Sequence, residues 1–298
     1  MSASPTRPEE PPPFATLAQP GPVRPERWLA ARGALLHRTF DLAPGRTLLD
    51  AVAGPLAEAG LRGGVVHLSG GSFAPFAYVM PALSSDPRFA AYYSETFRPA
   101  GETRLERATA TFGEREGAAF LHVHGTWIEA DGRRRAGHLL PAEVVVAEPV
   151  RAEAWGTAGA AWRVVPDAET NFPLFTPAPL VPAPLGEAGS GCLLLKIQPN
   201  EEVHAAIEAA CQAHGLAVAR VRGIGSIVRP AFADGRVIPT DASEVLIRDG
   251  TVRPGPAGAL VAHLDIAVVD VAGDIHEGVL LRGANAACIT FELCLAAG

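Results

Sequence analysis

Residues 120–140 read Phe120-Leu-His-Val-His-Gly-Thr-Trp-Ile-Glu-Ala-Asp-Gly-Arg-Arg-Arg-Ala-Gly-His-Leu-Leu140, and both fold and site follow from how this stretch pairs. Asp131-Gly132 is a dipeptide that tolerates positive φ, which predicts a β-hairpin turning at Ala130-Asp131-Gly132. His122 and His124 lie two apart on the first strand and so project from one face. Pairing symmetric about Asp131 sets His138 directly opposite His124, with Cβ atoms roughly 5 Å apart. Three imidazoles then converge. Three neutral His ligands with an open fourth position is how zinc and similar borderline metals are held when they must also bind water or substrate. The plainer alternative is a solvated strand face carrying alternate polar residues. A third histidine at the cross-strand position favours the metal, provided no bulge shifts the register.

Outward from the hairpin, the 298 residues suit two domains of about 100 to 150 residues. A hydrophobic content of 48% is enough for packed cores, and 32 acidic against 25 basic residues argue against a chain built to coat nucleic acid. No run approaches a membrane span, and no basic segment precedes an apolar one at the N-terminus, so a cytoplasmic protein without membrane contact is expected. Cys192, Cys211, Cys288 and Cys294 lack Cys-x-x-Cys spacing and read as buried thiols in a reducing compartment.

Residues 1–28 are a proline-rich arm, with Pro11–Pro13 at its centre and Phe14, Leu17 and Trp28 as candidate anchors. Residues 29–153 form a first domain: a strand over Leu35–Leu42, a helix from Thr47 to Ala59 closed by Gly60 and kinked or divided at Pro55, then a strand from Val65 ending in the glycine turn Ser69-Gly-Gly-Ser72. Residues 154–190 are a Pro/Gly/Ala connector, extended and stiff through Pro177, Pro179, Pro182 and Pro184. Residues 191–298 repeat the first syntax: a strand Cys192–Pro199, Asn200 as helix N-cap, a helix to His214, and Gly215. Pro44 to Gly60 and Pro199 to Gly215 are both sixteen residues, and Ala262–Leu281 answers the central hairpin, so the chain reads as an internal duplication.

The copies differ at the histidines. Where the first has His122, His124 and His138, the second has His263, Asp265 and Val279, and His276 falls on the opposite face. The second copy therefore reads as structural, with His263 and Asp265 a simple hydrogen-bonded pair. The first copy also carries an insertion of about thirteen residues holding Phe73, Phe76, Tyr78, Met80, Phe89, Tyr92, Tyr93 and Phe97, a candidate pocket wall or lid. In the connector, Asn171 and Phe172 are candidates to touch a neighbouring site.

Leu-His-Val-His at 121–124 and Gly-His-Leu-Leu at 137–140, after strand, helix and strand, resemble the plants-and-prokaryotes-conserved (PPC or PCC) domain. The second copy resembles it through Gly223-Ile-Gly-Ser226, Ser243-Glu-Val245 and Thr290-Phe-Glu-Leu293. The resemblance covers about residues 35–153 and 190–298. It implies two α/β (α+β) domains, each a mainly antiparallel sheet with one or two helices, assembly as trimers, and a histidine-bound metal as in some prokaryotic members. The DNA-binding association of the family comes from plant members with AT-hooks. That core, Arg-Gly-Arg-Pro, is absent here, and Arg133–Arg135 is the one basic cluster.

The expected function is a metal-dependent enzyme of hydrolase or lyase type acting on a small anionic substrate. Its divalent metal, zinc in the first instance, would sit on His122, His124 and His138. Glu95 is the candidate general acid or base with Tyr93 as substitute. Arg98 is the candidate carboxylate clamp, and Ser72 offers a hydroxyl and N–H at the glycine turn. The alternative is a ligand-binding or regulatory module with a structural metal. An open coordination position suits chemistry; a fourth protein ligand suits structure. A homo-oligomer, a trimer above all, is the expected assembly.

Overall fold

The computed structural model describes residues 14–180 and 191–298; Pro11–Pro13 of the arm and Pro182 and Pro184 of the connector lie outside them. The main strands are β1 (Trp28–Ala34), β2 (Leu36–Leu42), β3 (Gly63–Ser69), β4 (Thr103–Arg115), β5 (Ala118–Ile128), β6 (Arg134–Leu139), β7 (Val150–Thr157), β8 (Ala160–Pro166), β9 (Pro173–Pro179), β10 (Gly191–Ile197), β11 (Ala219–Val228), β12 (Ser243–Pro254), β13 (Leu260–Asp270), β14 (Ile275–Val279) and β15 (Ala286–Ala297). Two helices, α1 (Leu48–Glu58) and α2 (Val203–His214), accompany them, so the fold is α+β and dominated by antiparallel sheet.

Strand order repeats between the halves. The first sheet runs β2-β7-β3-β4-β5-β6, and the second runs β1 and then β10-β15-β11-β12-β13-β14. In both, the last strand of the half inserts between the first and second, and the helix makes the crossover between strands that flank it. Trp28–Ala34, made of the last residue of the expected arm and the first six of the expected first domain, forms the edge of the second sheet, with Trp28 opposite Ile197 and Ala34 opposite Gly191. The chain then crosses at Leu35 into β2 of the first sheet. Part of the connector is also ordered differently from expectation: β8 and β9 form a hairpin with Val164 opposite Phe175.

Each helix covers one sheet. In α1, Thr47 accepts from the Asp50 N–H as N-cap, and Leu48, Ala51, Val52 and Leu56 bury against the sheet. The helix runs through Pro55 as one piece, against the expected division. Burial of Leu48, Val52 and Leu56, each worth roughly 1.5–3 kcal/mol, outweighs the roughly 3 kcal/mol that an interior proline costs. In α2 the cap is Glu202, whose carboxylate accepts from the Ala205 N–H, and not Asn200; Gly215 closes the helix in the left-handed conformation as expected. The Asn200 side chain is instead engaged with the backbone of Leu17, tying down the arm.

Strand alternation then places the site. Val66, Leu68, Ala108, Ala110, Leu121 and Val123 point to the α1 side and pack with it. Val65 and Trp155 point the other way and pack with Leu194 and Cys294 of the second sheet. The order of layers is therefore helix, sheet, sheet, helix. His67, Thr109, Thr111, His122 and His124 share the inner face of the first sheet, as the cross-strand pairs His67 with Thr109, Thr109 with His124 and Thr111 with His122 require.

Candidate metal centre between the two sheets

The β5–β6 hairpin forms with the register read from the sequence, His138 opposite His124 and Gly137 opposite Gly125. Gly132 takes φ +82° in the turn. Tyr78 and Val79 add to the outer edge of β6 beside Leu139 and His138. That addition needs glycine at 137, where a Cβ would stand 2.6 Å from the Val79 carbonyl oxygen.

His122, His124 and His138 come together, each offering a ring nitrogen within 4.8 Å of the others. The Nε2 atoms of His122 and His124 are 3.0 Å apart. His124 Nδ1 lies 2.9 Å from the Val245 carbonyl oxygen, which can only accept, so Nδ1 carries the proton and Nε2 of the neutral ring presents a lone pair. His122 Nδ1 lies 2.9 Å from Glu292 Oε2, which orients that ring the same way. At that separation either the His122 Nε2–H donates to the His124 lone pair or a cation lies against both nitrogens. Burial, and after it the neighbouring His122, pushes His124 and His138 well below the usual imidazole range, so both rings are held neutral, the form in which imidazole ligates a metal.

The second half supplies two acids that sequence reasoning had left out of the site. Glu244 Oε1 is 3.9 Å from both His124 Nε2 and His138 Nδ1. Burial raises its carboxyl well above the ordinary range. Glu244 Oε2 and His138 Nδ1 are both buried without a hydrogen-bond partner among the described residues. A buried carboxylate without donors is costly unless a cation answers it, so the donor set fits a divalent metal. Glu292 sits opposite Lys196 across β10 and β15, and Lys196 Nζ is 2.7 Å from Asp167 in a buried ion pair. A local signal was present for Glu292, a lone charge in the largely apolar run Cys288–Leu295; Glu244, three residues after Asp241, has none of that kind.

Of the other expected site residues, Tyr93 reaches the histidines, its ring centroid 5.0 Å from that of His138 in an edge-on contact. Glu95 is exposed. Arg98 is exposed and paired with Glu143 at 2.6 Å. The Ser72 hydroxyl is buried and donates to Glu102. None of these last three lines the cavity beside the histidines. The insertion divides its aromatics: Phe73, Phe76 and Tyr78 pack with Trp127 in the core, whereas Tyr92 and Tyr93 line the cavity with Phe172 of the connector. Asn171 turns away and donates to the Arg88 carbonyl.

In the second half, Asp265 opposes Val279 as aligned, but it faces Arg248 at 3.6 Å rather than pairing with His263. His276 lies 3.0 Å from Asp270.

Residues 187–297 match the Plants and Prokaryotes Conserved (PCC) domain. Among solved structures, a PPC protein of Pyrococcus horikoshii is 14% identical, covering 51% of this chain and 97% of its own, with a TM-score of 0.40. A metal-containing protein of Archaeoglobus fulgidus is 15% identical, covering 49% of this chain and 97% of its own, with a TM-score of 0.40. No curated protein matches the chain. What the fold and the site define is an antiparallel α+β protein with a potential three-histidine metal centre between two sheets, and a PCC-like domain in its second half.

Proposed function

We propose that this chain is a duplicated PCC-type protein and a metal-dependent enzyme, of hydrolase or lyase type, acting on a small anionic substrate. The observation that carries the reading is Glu244: a buried carboxyl from one sheet, its Oε2 without a hydrogen-bond partner among the described residues and its Oε1 3.9 Å from two of three histidines from the other. The nitrogen-rich donor set favours zinc. A metal held by His122, His124 and His138 would supply Lewis acidity and lower the pKa of a bound water. Glu244 Oε1 takes and returns the proton at the reacting atom, the role first assigned to Glu95. Tyr93 caps the histidine side, and the aromatic wall limits water. The repeated strand order supports duplication, and makes the second copy the cover of the first copy's site.

A second reading rests on the same residue. If Glu244 closes the fourth coordination position, the metal is structural and the chain is a ligand-binding or regulatory module. Hydrolysis of carboxylate-bearing chromogenic esters by the zinc-loaded chain, lost in Glu244→Gln with metal retained, is expected of the enzyme. Ligand binding without turnover, with metal lost in Glu244→Gln, is expected of the module.

Nucleic acid is disfavoured as a partner, since Arg134 is neutralised by Glu106 and Glu277, each at 2.7 Å. Among the described residues no helix is long and apolar enough to cross a membrane. A trimer and a cytoplasmic location complete the proposal; four buried free thiols support a reducing compartment.

A further inference from the structure

The cavity of about 320 Å³ beside the histidines is within the range of small-molecule sites. Its lining runs along the inner face of β4 and β5 from the histidines, with Glu244 and Glu292, past Phe120 to the exposed Arg115 near the β4–β5 turn, and Val164 and Phe175 line it too. Arg115 is exposed, its guanidinium carbon 5.7 Å from the Phe120 ring centroid. Among the described residues it has no carboxylate partner, while the adjacent Glu114 is engaged by Arg163 at 2.7 Å and Arg62 at 3.6 Å. The cavity thus holds at its mouth a cation without a carboxylate partner among the described residues.

That cation orients a ligand. An anionic group is drawn to Arg115 through the planar fork of its guanidinium, while at the other end Glu244 and Glu292 stand against the charge of a bound metal. Four residues of β4, about 13 Å at 3.3 Å per residue, separate Arg115 from Thr111, the partner of His122. Side chains reaching inward from both ends shorten that span to what an aromatic ring with a short chain fills. The wall between is apolar and largely aromatic, which suits such a body and not a second charge.

We propose that the site takes a small monocarboxylate with an aryl-sized apolar body, its carboxylate held by Arg115 at the mouth and its other end delivered to the histidines. This deepens the metal-enzyme reading and moves the carboxylate anchor from Arg98 to Arg115. The test is calorimetric titration of the full chain, zinc-loaded and chelated, with 3-phenylpropionate, 3-phenylpropionamide and acetate. The zinc-loaded chain is expected to bind 3-phenylpropionate at least about tenfold more tightly than either comparator, the scale of one charge-assisted interaction. Arg115→Gln is expected to erase the acid-over-amide preference at unchanged metal content, Arg115→Lys to restore part of it, and Arg98→Gln to leave it intact. Equal binding of acid and amide by a zinc-loaded chain, or a preference that survives Arg115→Gln, overturns the proposal and leaves the metal reading untouched. An Arg115-dependent preference in a chain that holds no zinc supports the proposal and overturns the metal reading instead.

Discussion

His122 and Glu292 stand 170 residues apart in the chain, yet the Nδ1 of one lies 2.9 Å from the Oε2 of the other, across the gap between the two sheets. The contact ties the second half of the chain to a histidine of the first and fixes which nitrogen of that ring faces the centre.

Replacing this partner is therefore expected to act through the ring. Glu292→Gln keeps the shape and removes the charge, and such changes to the groups behind metal ligands weaken metal affinity about 10- to 100-fold. Competition for zinc against a chelator of known affinity, on the folded variant, measures the loss. Unchanged affinity would mean that Glu292 serves packing alone.

Gly137 makes a second, steric prediction. A methyl group there meets the Val79 carbonyl at 2.6 Å, so Gly137→Ala has to push apart the Tyr78–Val79 edge and β6. A cost of about 1–3 kcal/mol is expected from overpacking of this kind, together with weaker zinc binding because His138 is the next residue. Gly132→Ala, where a Cβ meets nothing within 4 Å but φ is +82°, tests backbone strain at the turn without touching His138. It is expected to lower the melting temperature and spare zinc affinity.

His67 gives the pH dependence. Burial, and after it Arg222 and Arg107, pushes its pKa down to about 3 from 6.5. Between those values the unfolded chain binds a proton that the folded chain refuses, so this residue stabilises the fold above pH 6.5 and loses that contribution as pH falls toward 3. The expected slope is about 1.4 kcal/mol per pH unit for one proton. Urea unfolding of the wild type and His67→Gln across that window checks it, the variant losing stability less steeply on acidification.

Much of the site is legible in the strand alternation and the turn. Asp131-Gly132 sets the hairpin register, and register decides that His122, His124 and His138 share a face. The repeat of proline, helix and glycine spacing likewise anticipates two sheets with the same strand order. What alternation leaves open is which surface stands opposite a given face. Nothing local tells that Glu244 and Glu292 look across at the histidines, or that Trp28–Ala34 pairs with Gly191–Ile197 rather than with its chain neighbours. The same limit misdirects Arg98, whose partner Glu143 lies 45 residues on, and Asn200, whose side chain is taken by Leu17. Arg115, at the end of a strand and beside an acid, reads as a surface residue until the connector hairpin is seen to wall the same cavity.

The metal centre itself is tested most directly by elemental analysis of untagged protein beside His124→Ala and His138→Ala. Stoichiometric metal in the wild type, lost from both folded variants, is the expected result. A wild-type chain that takes up no metal even after reconstitution with zinc would contradict the three-histidine centre.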